Sequence, residues 1–182
     1  MSHSKRKLEE GWISFLLLAL VLLSVVWSVQ AAEWTGGLGA LQWIAIVGML
    51  LALLLAKTRR IPALIGHLLS LLVGAAWVTL VLTIAFHPPL VPAAMVSSAS
   101  SFVARASIMY QQVLRWLCAP VGADVWLSNF AFLAALAVLT WLLSHVSTWC
   151  LFRRHWAWGA VVPAGAACLL NTYYAPPRQI TG

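Results

Sequence analysis

Five stretches of this chain are almost wholly apolar. Each is long enough for a helix, rising about 1.5 Å per residue, to cross a hydrocarbon core of about 30 Å. They cover residues 12–32, 37–56, 61–86, 129–151 and 156–174, and charge, proline or glycine bounds every one. Backbone amides in lipid must be paired within their own segment, so these stretches are expected to be helices. Their Leu, Ala and Val runs lack the period-two alternation of a β-barrel strand. The expected fold is all-α: a polytopic membrane protein with five transmembrane helices, one membrane domain over residues 1–182.

Composition narrows the function classes. Of 182 residues, 63% are hydrophobic and 8% charged, which leaves no room for a sizeable soluble domain beside the spans. A net charge of +7 would suit nucleic acid if it formed one patch, but the cations sit in clusters at span ends. Lys5, Arg6, Lys7, Lys57, Arg59, Arg60, Arg153 and Arg154 fall on one side if every span crosses; only Arg105, Arg115 and Arg178 fall on the other. Lys and Arg stay cytoplasmic, so the N-terminus is expected inside and the C-terminus outside the membrane. The expected partners are the lipid bilayer and other integral membrane subunits, with no nucleic acid.

The first span also invites comparison with a signal peptide, because Lys5 to Lys7 precede it and Val29-Gln30-Ala31 has small residues at a cleavage-like spacing. Its apolar run exceeds the usual core of about 7–15 residues, so it is expected to stay as an anchor. Three cysteines, Cys118, Cys150 and Cys168, make no disulfide framework and are expected as small packing residues.

Several local features predict how the helices meet. Lys57-Thr58-Arg59-Arg60 is too short for anything but an antiparallel hairpin between spans two and three, and Pro62 suits the first turn of the latter. Gly48, Ala52 and Ala56 line one face of span two, and Gly66, Ser70 and Gly74 one face of span three. Small residues at this spacing let helix backbones approach closely, so both stripes are expected to pack on neighbouring helices. Eleven tryptophans, with Trp12, Trp27, Trp34, Trp149, Trp156 and Trp158 near span ends, suggest an aromatic belt at the membrane surfaces. Between spans three and four, Ser97 to Ser101 offer helix caps, and Phe102, Ala106, Met109, Val113 and Trp116 recur at helical spacing. Arg105, Gln112 and Arg115 fall toward the other side, so residues 98–118 are expected as an amphipathic helix on the outer surface, lying in the lipid interface or packed on the span ends. Thr140, Ser144 and Ser147 offer hydroxyls on span four, while Pro163 and Gly165 predict a kink or local unwinding in span five.

Candidate chemistry is sparse. The acids are Glu9, Glu10, Glu33 and Asp124, all outside the spans, which speaks against proton-coupled transport and against paired-carboxylate catalysis. Cys118 lacks a nearby histidine, with only His87 in the same compartment, so no catalytic residue and no metal-ion site is expected. His67 and His145 lie about six residues from the same ends of spans three and four. Two histidines at one depth suit an axial pair for haem or ligands for chlorophyll, but they also arise by chance, and each then simply bonds a hydroxyl such as Ser70 or Ser144.

The stretch from Asp124 to Pro176 carries a further signal. It begins its span at Asn129-Phe130, reaches Trp149-Cys150-Leu151-Phe152-Arg153-Arg154-His155-Trp156, and continues through Val162-Pro163 to Asn171-Thr172-Tyr173-Tyr174. This resembles the N-terminal membrane region of bacterial transglutaminase-like membrane proteins, with Glu10-Gly11-Trp12 and the Lys57 to Arg60 turn fitting the same pattern. The resemblance implies several membrane helices ahead of an extracytoplasmic Cys-His-Asp domain, and no position here matches that triad. The leading expectation is a non-enzymatic accessory or structural subunit of a larger membrane complex, for which a bacterial respiratory or photosynthetic electron-transfer assembly is a natural host. The alternatives are the membrane anchor fragment of a transglutaminase-like enzyme, and a haem- or chlorophyll-binding subunit using His67 and His145.

Overall fold

The computed structural model describes residues 11–58, 60–85, 102–118 and 129–174, apart from the side chains of Phe102, Trp116 and Leu117. These form six helices: α1 Gly11–Ala31, α2 Ala40–Lys57, α3 Ala63–Ile84, α4 Phe102–Cys118, α5 Asn129–Arg154 and α6 Ala157–Tyr174. No strand occurs among the described residues. Of these helices, α1, α2, α3 and α5 are long and apolar enough to cross a membrane. Helix α6 has 18 residues but is diluted by Pro163, Asn171, Thr172 and two tyrosines. The basic clusters at Lys5 to Lys7, Arg59 and Arg178, the caps at Ser97 to Ser101, Asp124 and His87 lie outside the described residues.

Local chemistry sets the helix ends. Gly37 takes φ +79° in the turn after α1, and its carbonyl accepts the Ala40 amide at the start of α2. Helix α2 stops at Thr58, whose amide and hydroxyl bond the carbonyls of Leu55 and Leu54. Pro62 stands just before α3 rather than inside its first turn, and its carbonyl accepts the Gly66 amide at 3.0 Å. The fourth apolar run continues as helix to Arg154, so Arg153 and Arg154 occupy the last turn of α5 instead of a connecting loop. His155 then enters the left-handed region at φ +53°, and the Trp156 amide returns to the Cys150 carbonyl at 3.0 Å. That bond closes a turn one residue wider than the six-to-one bond of a Schellman cap, with His155 at the left-handed position that glycine usually takes. Of the kink or unwinding expected in α6, unwinding at Pro163 does not occur; the helix is continuous from Ala157 to Tyr174. Gly159, four residues earlier, places the least bulk beside the carbonyl that the proline ring crowds.

Helices α2 and α5 form the centre, each about half buried, while α1 and α3 turn most of their surface outward. One core cluster joins α2, α3, α4 and α5 through Leu41, Ile44, Val78, Leu82, Met109 and Leu133. A second joins α1, α2 and α6 through Leu18, Leu22, Val25, Met49, Ala160 and Ala164. A third closes the basic end with Leu55, Ala56 and Trp149. The opposite end is tied by polar groups. Trp34 Nε1 donates to Asn171 Oδ1 at 2.9 Å, and Asn171 Nδ2 donates to Ser28 Oγ at 2.8 Å.

Helix α4 packs on α3 and α5 with the middle of the expected stripe, through Met109 and Val113. Met109 is buried, and Arg105 and Gln112 are half buried beside it, while Val103, Tyr110 and Leu114 face outward. The stripe around Met109 and Val113 thus faces the bundle, and Arg105 and Gln112 at its flanks are drawn partly inward with it. Cys150 is buried and Cys168 half buried, but Cys118 is exposed and does not pack.

A candidate functional site between helices α3 and α5

The small stripe of α3 meets a stripe of large residues on α5. The two helices run antiparallel, so the two four-residue repeats pair in reverse order: Gly74 with Trp141, Ser70 with His145, and Gly66 with Trp149. A methyl placed on Gly66 would lie 2.9 Å from Trp149 Cη2. One placed on Gly74 would collide with Trp141 Nε1 and lie 2.5 Å from Cε2. On the other side of Trp141, Gly48 of α2 leaves room for the indole and for Ser144, whose Cβ would be 3.2 Å from an added methyl. Ala52 and Ala56 continue that face and are buried. The small faces of both helices are thus filled from within the chain, chiefly by α5.

The middle rung carries the titratable groups. His67 Nδ1 and His145 Nε2 are 3.0 Å apart, and His145 Nδ1 is 2.9 Å from Ser70 Oγ. His145 takes its hydroxyl partner from α3 rather than from Ser144 beside it on α5. His145 is 4% and Ser70 1% exposed, while His67 is half buried at the edge of the stripe. Trp149 lies against His67 with ring centroids 4.6 Å apart and an interplanar angle of 48°. The aromatic belt therefore does not include Trp149, which is 2% exposed inside the bundle. Trp12, Trp27, Trp156 and Trp158 do face outward.

Arg153 closes this face one turn beyond Trp149. Its guanidinium carbon is 5.3 Å from the Trp149 ring centroid. Nη1 donates to the Ala56 and Thr58 carbonyls at 3.4 and 3.2 Å, and Nη2 to the Ile61 carbonyl at 3.0 Å. The last carbonyls of α2 lack intrahelical donors, and a planar fork with several N–H groups satisfies them while placing positive charge at the negative end of the helix dipole. Arg153, expected only as a topology residue, is a bolt across the α2–α3 turn. Lys57 lies 5.6 Å from the Trp12 ring, and Arg60 and Arg154 are exposed. Arg59 lies outside the described residues.

The arrangement has chemical consequences. Two neutral imidazoles and a hydroxyl in series have two proton arrangements. Either Ser70 donates to His145 and His145 to His67, or His67 donates to His145 and His145 to Ser70. The facing nitrogens are at hydrogen-bond distance, which leaves no gap for a macrocycle, so the pair does not fit as axial ligands on opposite faces of one haem. Some buried polar atoms have no partner among the described residues, including Trp141 Nε1, Ser147 Oγ and Thr148 Oγ1. The hydroxyls of α5 named from the sequence thus contribute less polar contact than its large residues. The signal for those residues is the spacing itself: Trp141, His145, Trp149 and Arg153 recur every four residues, mirroring Gly66, Ser70 and Gly74. No family model, curated protein or solved structure matches this chain.

Proposed function

We propose that the chain crosses a bacterial plasma membrane five times, basic end in the cytoplasm, and serves as a non-catalytic accessory subunit in a larger assembly of membrane helices. The fifth crossing is supported by α6 lying along α1. Ala160 and Ala164 pack with Leu18 and Leu22, while Asn171 bonds Ser28 near the far end. Eighteen residues span about 27 Å, close to one hydrocarbon thickness.

The observation that carries the subunit reading is the flank of α3. The helix buries 28% of its span, against 56% for α2. Leu64, Leu68, Leu71 and Leu72 are exposed along it, with the polar ring of His67 at their margin. A polar edge against acyl chains is costly, and a neighbouring subunit would remove that cost. Purification in mild detergent tests the reading, with a photocrosslinker placed at Leu68 or Leu72. Co-purification of a membrane polypeptide at fixed stoichiometry, crosslinked through α3, is the expected result; a monodisperse monomer without crosslinks refutes it.

A second reading follows from the resemblance to transglutaminase-like membrane proteins. The residues that carry it include Trp149, Arg153 and Asn171, which lock the bundle here. The bundle would then be the anchor of an extracytoplasmic Cys-His-Asp domain, and the gene sequence downstream of Gly182 tests this directly.

A further inference from the structure

The face of α3 that carries Gly66, Ser70 and Gly74 continues through Trp77 and Val81 toward the end away from the basic cluster. There it meets the start of α2 across a cavity of about 380 Å³, lined by Gly39, Ala40, Trp43, Trp77, Val81 and Ile84. That volume falls among small-molecule sites, which run from about 300 to 1,000 Å³. At about 100° per residue, Trp77, Val81 and Ile84 lie on the opposite side of α3 from Leu64, Leu68 and Leu72. The cavity is therefore separate from the flank assigned to a neighbouring subunit. Trp43 is 56% and Ile84 67% exposed, so it opens beside them at the surface of the bundle.

The lining is chemically one-sided. Its side chains hold two hydrogen-bonding atoms, the indole Nε1 groups of Trp43 and Trp77, and an indole donates only. Trp77 Nε1 is buried and finds no acceptor among the described residues. An unmade bond at a buried donor is destabilising, and an acceptor brought by a ligand removes that cost. An acyl chain would fill the space and leave the donor unmet. The two indoles share the cavity without a ring contact between them, so a flat apolar ring can lie against either. We infer that the cavity holds the head of a prenyl quinone, a flat ring whose carbonyl oxygens only accept, with its isoprenoid tail passing Ile84 into lipid. Because Nε1 is buried and Trp77 as a whole half buried, binding turns the indole until it donates to one carbonyl. The inference rests on the proposed membrane placement of the chain and needs no partner subunit.

The test uses the isolated full chain in mild detergent, so it is read separately from co-purification. A short-tailed menaquinone and a short-tailed ubiquinone are titrated in parallel, followed by quenching of tryptophan fluorescence and by the quinone retained after gel filtration. Saturable binding of at least one of them, at one per chain, is expected. Squalene, a prenyl hydrocarbon without a carbonyl, should not displace it. Trp77→Phe keeps an apolar wall and removes the donor, and should weaken binding about 3–10-fold, the worth of one neutral hydrogen bond. Ile84→Trp narrows the mouth from an exposed position and should abolish binding while the bundle stays monodisperse. Near-ultraviolet circular dichroism should change on binding in wild type, and less in Trp77→Phe. Binding of neither quinone overturns the assignment, as does displacement by squalene or unaltered binding to Ile84→Trp. Equal affinity of wild type and Trp77→Phe overturns the role of the indole donor.

Discussion

Replacing Gly74 with alanine adds one methyl where α3 touches α5 most closely. That methyl collides with Trp141 Nε1 and sits 2.5 Å from Cε2 and 2.9 Å from Cδ1, well inside van der Waals contact. Trp141 is 3% exposed and has Gly48 close behind it, so the indole has nowhere to retreat and the helices must part. Alanine favours the helix by about 1 kcal/mol over glycine. Overpacking a filled site costs about 1–3 kcal/mol. Parting α3 from α5 also stretches the Ser70–His145 and His67–His145 bonds, each worth about 0.6–1.7 kcal/mol within a membrane. The balance is a loss of about 1–3 kcal/mol. Gly165 is the matched control, since a methyl there meets nothing within 4 Å, and Gly165→Ala should gain up to about 1 kcal/mol. Equilibrium unfolding by dodecyl sulfate titration from mild detergent, followed by tryptophan fluorescence, measures both. Trp141→Leu combined with Gly74→Ala should recover part of the loss as a positive coupling. A Gly74→Ala protein as stable as wild type, or a Gly165→Ala protein that falls further, refutes the reasoning.

Three more outcomes follow from the ends of the bundle. Arg153→Leu removes the donors to Ala56, Thr58 and Ile61 and should cost about 1–3 kcal/mol, with faster amide exchange confined first to the α2–α3 turn; Arg153→Lys should restore only part, lacking the planar fork. Asn171→Ala breaks the links to Trp34 and Ser28 and should lower stability by about 1–2 kcal/mol in the same dodecyl sulfate titration. His155→Gly should relieve about 1–2 kcal/mol of backbone strain, because glycine adopts φ +53° without steric cost, and should be more stable than His155→Ala by that amount; equal stability of the two variants counts against strain at that cap.

The glycine stripe of α3 was legible in the chain, and so was the shared depth of His67 and His145. Their meaning was not. The stripe predicts close packing on some helix; only the antiparallel register assigns Trp141, His145 and Trp149 to its three positions. Trp149 and Arg153 have the composition of a membrane border, yet one turns inward onto Gly66 and the other onto the carbonyls of the α2–α3 turn. On α4, helical spacing foretold an amphipathic helix but not that Arg105 would lie half buried against its neighbours while Val103 and Leu114 faced out.

The sequence by itself determined that these segments are helices and roughly where α1, α2, α3 and α5 begin and end. Length, apolarity and the flanking Gly, Pro and Arg act along one chain segment at a time, and an unpaired backbone is prohibitive in hydrocarbon. The tertiary structure decided which face of each helix is inside. A helix in water advertises its buried face by contrast with a polar one, but a helix expected in lipid is apolar on every side and shows no such contrast. Which small residue meets which large one is then settled by shape and by a few hydrogen bonds between distant segments. Those meetings, across the 78 residues from His67 to His145, exist only once the helices are packed.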